Sequence, residues 1–345
     1  MAPTTQTAVQ VLKFDAANYL ENLKVVTDAP VPTPGDGEVL VKLLLRPVNP
    51  ADIFSIMGVY PGYQPTSLPA VAGMEGMGVV EANGPGAAKF APGTRVTAAV
   101  WPDFRTGGKG LWQQYVAVKE EWLVAVPDDI SDDAAACAVV NPVTVLGMID
   151  MVSPVPEGRY VVLTAAGSAL ARMAMGLCKA QGIKTIGIVR RRETFDEIRA
   201  AGATEVVCSA DEDVVKRIGE ITGGQGAWAA LDCMAGDTTN KMCEAVRVGG
   251  KVVLYGGMDG LEAKVHLGYT LFKNVEIKGF WLMLWLWEMD AAQRQAVMDR
   301  VWAQYRAGVF SSGAGKEYPL EKVVEAVAEA AKPARGPKVL LRSSA

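Results

Sequence analysis

From Tyr160 to Phe280 the chain alternates short apolar, β-type runs with helix-type stretches, a pattern that restricts this half to parallel βαβ units. The strand-type runs are Tyr160 to Thr164, Lys184 to Val189, Thr204 to Val207, Ala227 to Cys233, Lys251 to Tyr255 and Val275 to Phe280. Helices are expected at Ala169 to Gln181, Arg192 to Ala201 ended by Gly202, Asp211 to Thr222, and Asp237 to Val248 ended by Gly249-Gly250. Six strands with crossover helices make a doubly wound α/β sheet.

The rest reads differently. Glu38 to Leu45, Gly78-Val79-Val80 and Arg95 to Ala98 are short strand-like runs separated by Gly and Pro, as in a compact, mostly-β domain. After the α/β half come helical stretches at Ala291 to Arg306 and Leu320 to Ala331, then a strand-like Pro337 to Arg342. A length of 345 residues exceeds one domain of roughly 100–200 residues. The expected division is 1–145 with 291–345 for the mostly-β domain and 146–290 for the doubly wound one.

A net charge of −4 supplies no basic footprint for nucleic acid or an anionic membrane. The longest apolar run, Gly279 to Trp287, falls far short of the ~20 residues of a membrane span. The amino-terminal Met1 to Thr7 has neither a secretory core nor presequence arginines, so the expected location is cytoplasmic, or mitochondrial or organellar after removal of a presequence. Five widely spaced cysteines read as reduced, buried thiols. The one histidine, His266, cannot make a metal site alone and reads as structural.

In a doubly wound sheet a dinucleotide lies beyond the strands' carboxyl ends, with its pyrophosphate at the first helix N-terminus. The segment there, Ala165-Ala166-Gly167-Ser168-Ala169-Leu170-Ala171, has one glycine where the common fingerprint has three, and a plain strand–helix turn explains it equally well. The second strand says more. It runs into Arg190-Arg191-Arg192, with no acid before Glu193. Arginine there suits a 2′-phosphate, whereas an acid suits a free 2′-hydroxyl, so the expected cofactor is NADPH. The alternative, a solvated helix start, sets three cations against the helix dipole.

Beyond these features the chain resembles the zinc-independent branch of the medium-chain dehydrogenase/reductase superfamily, and within it the NADPH-dependent trans-2-enoyl-thioester reductases. The resemblance rests on Val48-Asn49-Pro50-Ala51-Asp52, Gly58-Val59-Tyr60, Leu68 to Gly76, Val140-Asn141-Pro142-Val143-Thr144, Tyr255-Gly256-Gly257-Met258, and Leu271-Phe272-Lys273 to Gly279-Phe280-Trp281-Leu282. It implies a Rossmann domain beside a GroES-like substrate domain, and a homodimer. It also implies an NADPH site lined by Asn141, Thr144, Gly167, Ser168, Ala169, Leu170, Arg190, Arg191, Arg192, Tyr255, Gly256, Gly257, Met258, Phe280, Trp281, Leu282 and Lys338. Tyr60 matches the family's proton donor, and Asn49 is expected beside it as a catalytic residue.

Where zinc-dependent relatives carry cysteine this chain has Asn49 to Asp52, and where they carry Gly-His-Glu it has Gly73-Met74-Glu75, so no metal is expected. Without a Lewis acid, reduction of an alkene conjugated to a carbonyl is the accessible chemistry. Hydride adds to Cβ, the carbonyl accepts charge as an enolate, and an acid protonates Cα. A tyrosine of ordinary pKa, about 10, is protonated at neutral pH and can serve. Spacing alone leaves Tyr60 and Tyr63 both open. Trp281, Trp285 and Trp287 with Met283 and Leu284 read as core, dimer contact or an apolar wall for an acyl chain. The expected reaction is reduction of an enoyl-CoA or enoyl-ACP thioester. A quinone, alkenal or enone reductase and an NADPH-binding protein without catalysis stand as alternatives.

Overall fold

The computed structural model describes residues 3–99, 101–332 and 337–344. Met1 and Ala2 of the amino-terminal segment read above lie outside the described residues. The chain forms two compact units, Met1–Val140 with Leu286–Arg306 and Ser311–Ala345, and Asn141–Trp285 with Ala307–Phe310.

The first unit opens with β1 (Thr5–Val11), β2 (Leu23–Pro30) and the long β3 (Glu38–Pro47), followed by the helix α1 (Pro50–Met57). Next come β4 (Ala70–Val71), β5 (Glu75–Asn83), β6 (Arg95–Ala99), β7 (Tyr115–Lys119) and β8 (Leu123–Ala125). The second unit carries β9 (Tyr160–Leu163), β10 (Lys184–Val189), β11 (Glu205–Cys208), β12 (Ala227–Asp232), β13 (Val246–Leu254) and β14 (Glu276–Gly279). The chain then returns to the first unit with the helix Ala291–Arg306, β15 (Ala314–Pro319), the helix Val323–Ala330 and β16 (Lys338–Arg342).

β3 organises the first unit. It buries valines and leucines along nearly its whole length, pairs antiparallel with β5 along most of it, and shares its other edge between β7 at Glu38 to Lys42 and β16 at Leu45 to Pro47. The approach to β5 is close enough that a Cβ on Gly78 would lie 2.3 Å from the Lys42 carbonyl oxygen. Arg46 on β3 is wholly buried, with Nε donating to the Leu111 carbonyl at 2.8 Å and Nη2 to Ser343 Oγ at 2.8 Å. Burial lowers its guanidinium to about 9. One polar side chain thus ties the sheet centre to the chain's end.

In the second unit the strand order is β11-β10-β9-β12-β13-β14, all parallel, which is the doubly wound topology expected from the alternation. Val162, Ile186, Val207, Ala230 and Val252 bury the sheet between its helices. The boundary after β12 differs most from the sequence expectation. The helix is Gly236–Ala245, and β13 begins at Val246 and runs through Gly249-Gly250. Val246 and Val248 favour extended backbone, and the glycines mark an irregularity in pairing, with Gly249 at φ 66° donating to the Lys273 carbonyl. Arg192 to Thr194 is a short 3-10 turn before the helix Phe195–Ala200, and Asp213 caps the helix Val214–Ile221 by accepting from the Lys216 N–H.

Candidate active site

A buried polar cluster surrounds the start of α1. Pro50 begins the helix, and Asp52 in its first turn reaches back, Oδ2 accepting from the Asn49 N–H at 2.8 Å. Its other oxygen accepts from the Met74 N–H at 2.9 Å. The Asn49 side chain also reaches beyond the helix. Its Nδ2 donates to Glu75 Oε2 at 3.1 Å, and its Oδ1 accepts from Lys338 Nζ at 2.5 Å. Glu75 Oε1 takes the N–H groups of Val139 at 2.8 Å and Val140 at 2.6 Å. Asn49, Asp52, Glu75 and Lys338 are all buried.

Burial pushes the Asp52 carboxyl up to about 7 against the two N–H groups that favour its anion, and burial also raises Glu75, opposed first by Lys338. Lys338, expected with the nucleotide residues, places its ammonium on Asn49. Asn49, expected to be catalytic, is 1% exposed, with its amide engaged by Glu75 and Lys338. Neither Glu75 nor Lys338 stands out in the sequence as a partner of Asn49, because contacts 26 and 289 residues apart leave no local pattern.

α1 ends at Gly58, whose φ of 80° is the left-handed turn a glycine adopts freely, and the Val59 N–H closes on the Phe54 carbonyl. Two residues later stands Tyr60, half-buried. Tyr63 is 1% exposed and packs against Phe104 with ring centroids 5.1 Å apart and edge-on to Phe14 at 6.2 Å. Its hydroxyl is buried with no hydrogen-bond partner among the described residues, and burial raises it well above the ordinary phenol. Of the two tyrosines that spacing left open, Tyr63 is a packing residue.

In the second unit, β9 leads through Ala165, at φ 45°, into the helix Ala169–Ala180. Ser168 caps it, its Oγ accepting from the Ala171 N–H at 3.2 Å and its carbonyl from the Arg172 N–H at 3.0 Å. The amides of Ala169 and Leu170 therefore have no acceptor within the helix. A Cβ on Gly167 would meet nothing within 4 Å, so the turn leaves open space beside these two donors. Arg190, Arg191 and Arg192 follow β10 and are exposed. Arg192 is engaged, with Nε on Asp211 at 2.5 Å and Nη2 3.5 Å from Glu212, whereas Arg190 and Arg191 form no ion pair among the described residues. Two helix-start amides and two unpaired guanidiniums fit a pyrophosphate and a 2′-phosphate.

The carboxyl ends of β9, β12 and β13 are joined by Asp232. It accepts from Thr164 Oγ1 at 3.0 Å, Thr239 Oγ1 at 2.9 Å and the Met234 N–H at 2.9 Å, and its carbonyl takes the Tyr255 N–H at 3.0 Å. The Met258 N–H donates to the Cys233 carbonyl, which brings Tyr255, Gly256, Gly257 and Met258 beside the turn after β12. There Ala235 sits at φ 62°, a strained setting for a residue with a Cβ. The Tyr255 hydroxyl lies beside the Cys233 thiol and is raised by burial. Asn141 is half-buried and Thr144 buried on the helix Val140–Val152. Phe280 is buried, packed on Gly147 and 5.5 Å from the Trp285 ring; Trp281 is half-buried, and Leu282 is buried at the start of the helix Leu282–Trp287. His266 is exposed, its Nδ1 accepting from the Gly268 N–H. Among the described residues no group of three His, Cys, Asp or Glu side chains could hold a metal ion, and no helix is long and apolar enough to cross a membrane.

Asp52 makes a pH-dependent contribution of defined sign. The folded chain binds its proton more tightly than the unfolded value of 3.8, so stability falls as pH rises from there to about 7. Asp52→Asn is expected to lower stability yet flatten that decline, read from urea unfolding midpoints across the interval. Parallel slopes in the two proteins would exclude Asp52 as its source.

Comparison with known proteins places both units. The family described as alcohol dehydrogenase GroES-like domain matches residues 35–128, and that described as zinc-binding dehydrogenase matches residues 169–300. A mitochondrial enoyl-[acyl-carrier-protein] reductase of Caenorhabditis elegans is 31% identical over 304 residues, 87% of this chain and 83% of the relative. Its Xenopus tropicalis counterpart is 31% identical over 272 residues, 78% and 75% of the two chains. A crystal structure of a Pseudomonas syringae quinone oxidoreductase superposes with a TM-score of 0.86 at 26% identity, covering 98% of this chain and 99% of the other.

Proposed function

Because the chain belongs to the zinc-independent enoyl-reductase and quinone-oxidoreductase branch of the medium-chain dehydrogenase/reductase superfamily, we propose that it is an NADPH-dependent reductase of trans-2-enoyl thioesters. The observation that carries the reading is Tyr60, half-buried in the turn that closes α1, while its neighbour Tyr63 is sealed among aromatic rings. When bound, NADPH supplies the hydride that Cβ requires. Tyr60 donates a proton to Cα as the thioester carbonyl takes up charge. Ala169 and Leu170 offer their N–H groups to the pyrophosphate, and Arg190 and Arg191 receive the 2′-phosphate. Gly256, Gly257 and Met258, held by the turn after β12, line the same nucleotide site, with Asn141 and Thr144.

Discrimination for NADPH rests on the unpaired arginines. Arg190→Ala or Arg191→Ala is expected to lower the preference for NADPH over NADH by about tenfold or more, and Arg192→Ala by less, because Asp211 and Glu212 already engage it. Cofactor titrations followed by fluorescence measure this; an unchanged preference in the Arg190 and Arg191 variants removes them from the site.

Steady-state NADPH oxidation with crotonyl-CoA, a short enone and a small quinone separates the reactions. The enoyl thioester is expected to be the best substrate, and Tyr60→Phe to lose about 100-fold in kcat with NADPH affinity kept. Turnover of quinone alone would favour the second reading, which the likeness to the quinone oxidoreductase supports. Silence on all three substrates would leave a nucleotide-binding protein without catalysis.

Homodimerisation is part of the same proposal. β14 ends the sheet, and Leu267, Leu271 and Phe272, in the segment that leads to it, are 68%, 70% and 88% exposed, an apolar surface suited to a second copy. Light scattering should find a dimer, and a monomer for Phe272→Glu; two monomers would reject this contact. Five unpaired, buried cysteines suit a reducing compartment, cytosol or mitochondrial matrix.

A further inference from the structure

Lys338 does more than neutralise buried acids. It is the first residue of β16, and its backbone is fixed on both sides: its N–H donates to the Gly313 carbonyl at 2.7 Å, and the next residue's carbonyl takes the Val48 N–H at 3.0 Å. The side chain spans from this anchored strand to Asn49 Oδ1, the last residue before α1. Both ends of the Asn49 amide are then occupied, and its own N–H is held by Asp52 in the helix's first turn. α1 has 8 residues, about 12 Å of rigid rod. Its far end is locked by the left-handed Gly58 and the Val59–Phe54 hydrogen bond, and Tyr60 follows directly. No flexible linker separates the ammonium from the tyrosine.

We propose that Lys338 is a positioning residue for the reduction, setting Tyr60 through Asn49 and α1. The proposal rests on Tyr60 being the proton donor. A displaced helix start carries the tyrosine with it, and a shift near 1 Å at a reacting group costs about 100-fold in rate. A lysine that merely stabilised the fold would lower the unfolding temperature and leave the turnover of the folded enzyme intact.

The test uses Lys338→Met, which keeps the length of the side chain and removes its charge and donors, beside Lys338→Arg, which keeps both. Hydrogen exchange of the cofactor-free protein is expected to rise by about tenfold in peptides spanning residues 49–60 in the Met variant and to return toward the parent in the Arg variant. In turnover, Lys338→Met should lower kcat by about 100-fold with the NADPH KM within about twofold. It should add little when combined with Tyr60→Phe, because the group it positions is gone. If the Met variant does not fold, Lys338→Gln, which keeps a donor without charge, carries the same comparison. Unchanged exchange over residues 49–60 in a folded variant, or a kcat loss that is fully additive with Tyr60→Phe, overturns the proposal. Failure of the parent enzyme to reduce any enoyl thioester would instead strike the functional reading, with the exchange result still deciding whether Lys338 holds α1.

Discussion

Burying a lysine with two carboxylates in a small β-rich unit is the constraint that most of the first unit is arranged to meet. Each charge removed from water costs several kcal/mol unless its hydrogen-bonding capacity is filled. Here the capacity is filled largely by backbone. Asp52 receives two N–H groups, Glu75 receives two more and an amide, and Lys338 finds the Asn49 oxygen. Those donors belong to α1, to the start of β5 and to the segment at Val139 and Val140. The charges consequently dictate where four separated stretches of chain must lie, which a purely apolar core of the same volume would do less sharply.

The second unit solves a related problem with neutral partners. Asp232 is fully buried at the end of β12, yet it forms no ion pair among the described residues; two threonine hydroxyls and a backbone N–H supply its contacts. Hydroxyls on β9 and on the helix Gly236–Ala245 bind the same carboxylate, so the turns after β9 and β12 cannot drift independently. The strained Ala235 lies between those fixed points. A nucleotide site built there has its turns set before any ligand arrives, which is what preorganised binding requires.

The doubly wound sheet was legible because its signal is local: each strand and helix declares itself within about ten residues, and the order follows from alternation. The junction at Val246 was not, since a β-branched run beside two glycines reads equally as a helix stop or as a bulged strand. Within the site, the arginine run after β10 and the Gly58-Val59-Tyr60 turn were visible as motifs. The pairing of Arg192 with Asp211, the sealing of Tyr63 under Phe104 and the engagement of both ends of Asn49 were not, because each depends on a partner brought in by tertiary packing. Asn49 shows the limit well. Its position near Tyr60 suggested chemistry, while its burial and its bonds to Glu75 and Lys338 come only with the fold.

The strand that carries Lys338 is made after the whole of the doubly wound unit. Val48 and Asn49 leave the ribosome 289 residues ahead of the lysine that completes their surroundings, with the whole nucleotide-binding unit synthesised in the interval. Until then Glu75 and Asp52 lack their cation, and the lower half of β3 lacks its neighbour β16. The doubly wound unit can settle during synthesis, whereas the unit built on β3 must wait for β16. A nascent protein truncated before residue 338 would thus hold a finished doubly wound fold and an unfinished acid-bearing cluster, so that the two units reach completion in a fixed order.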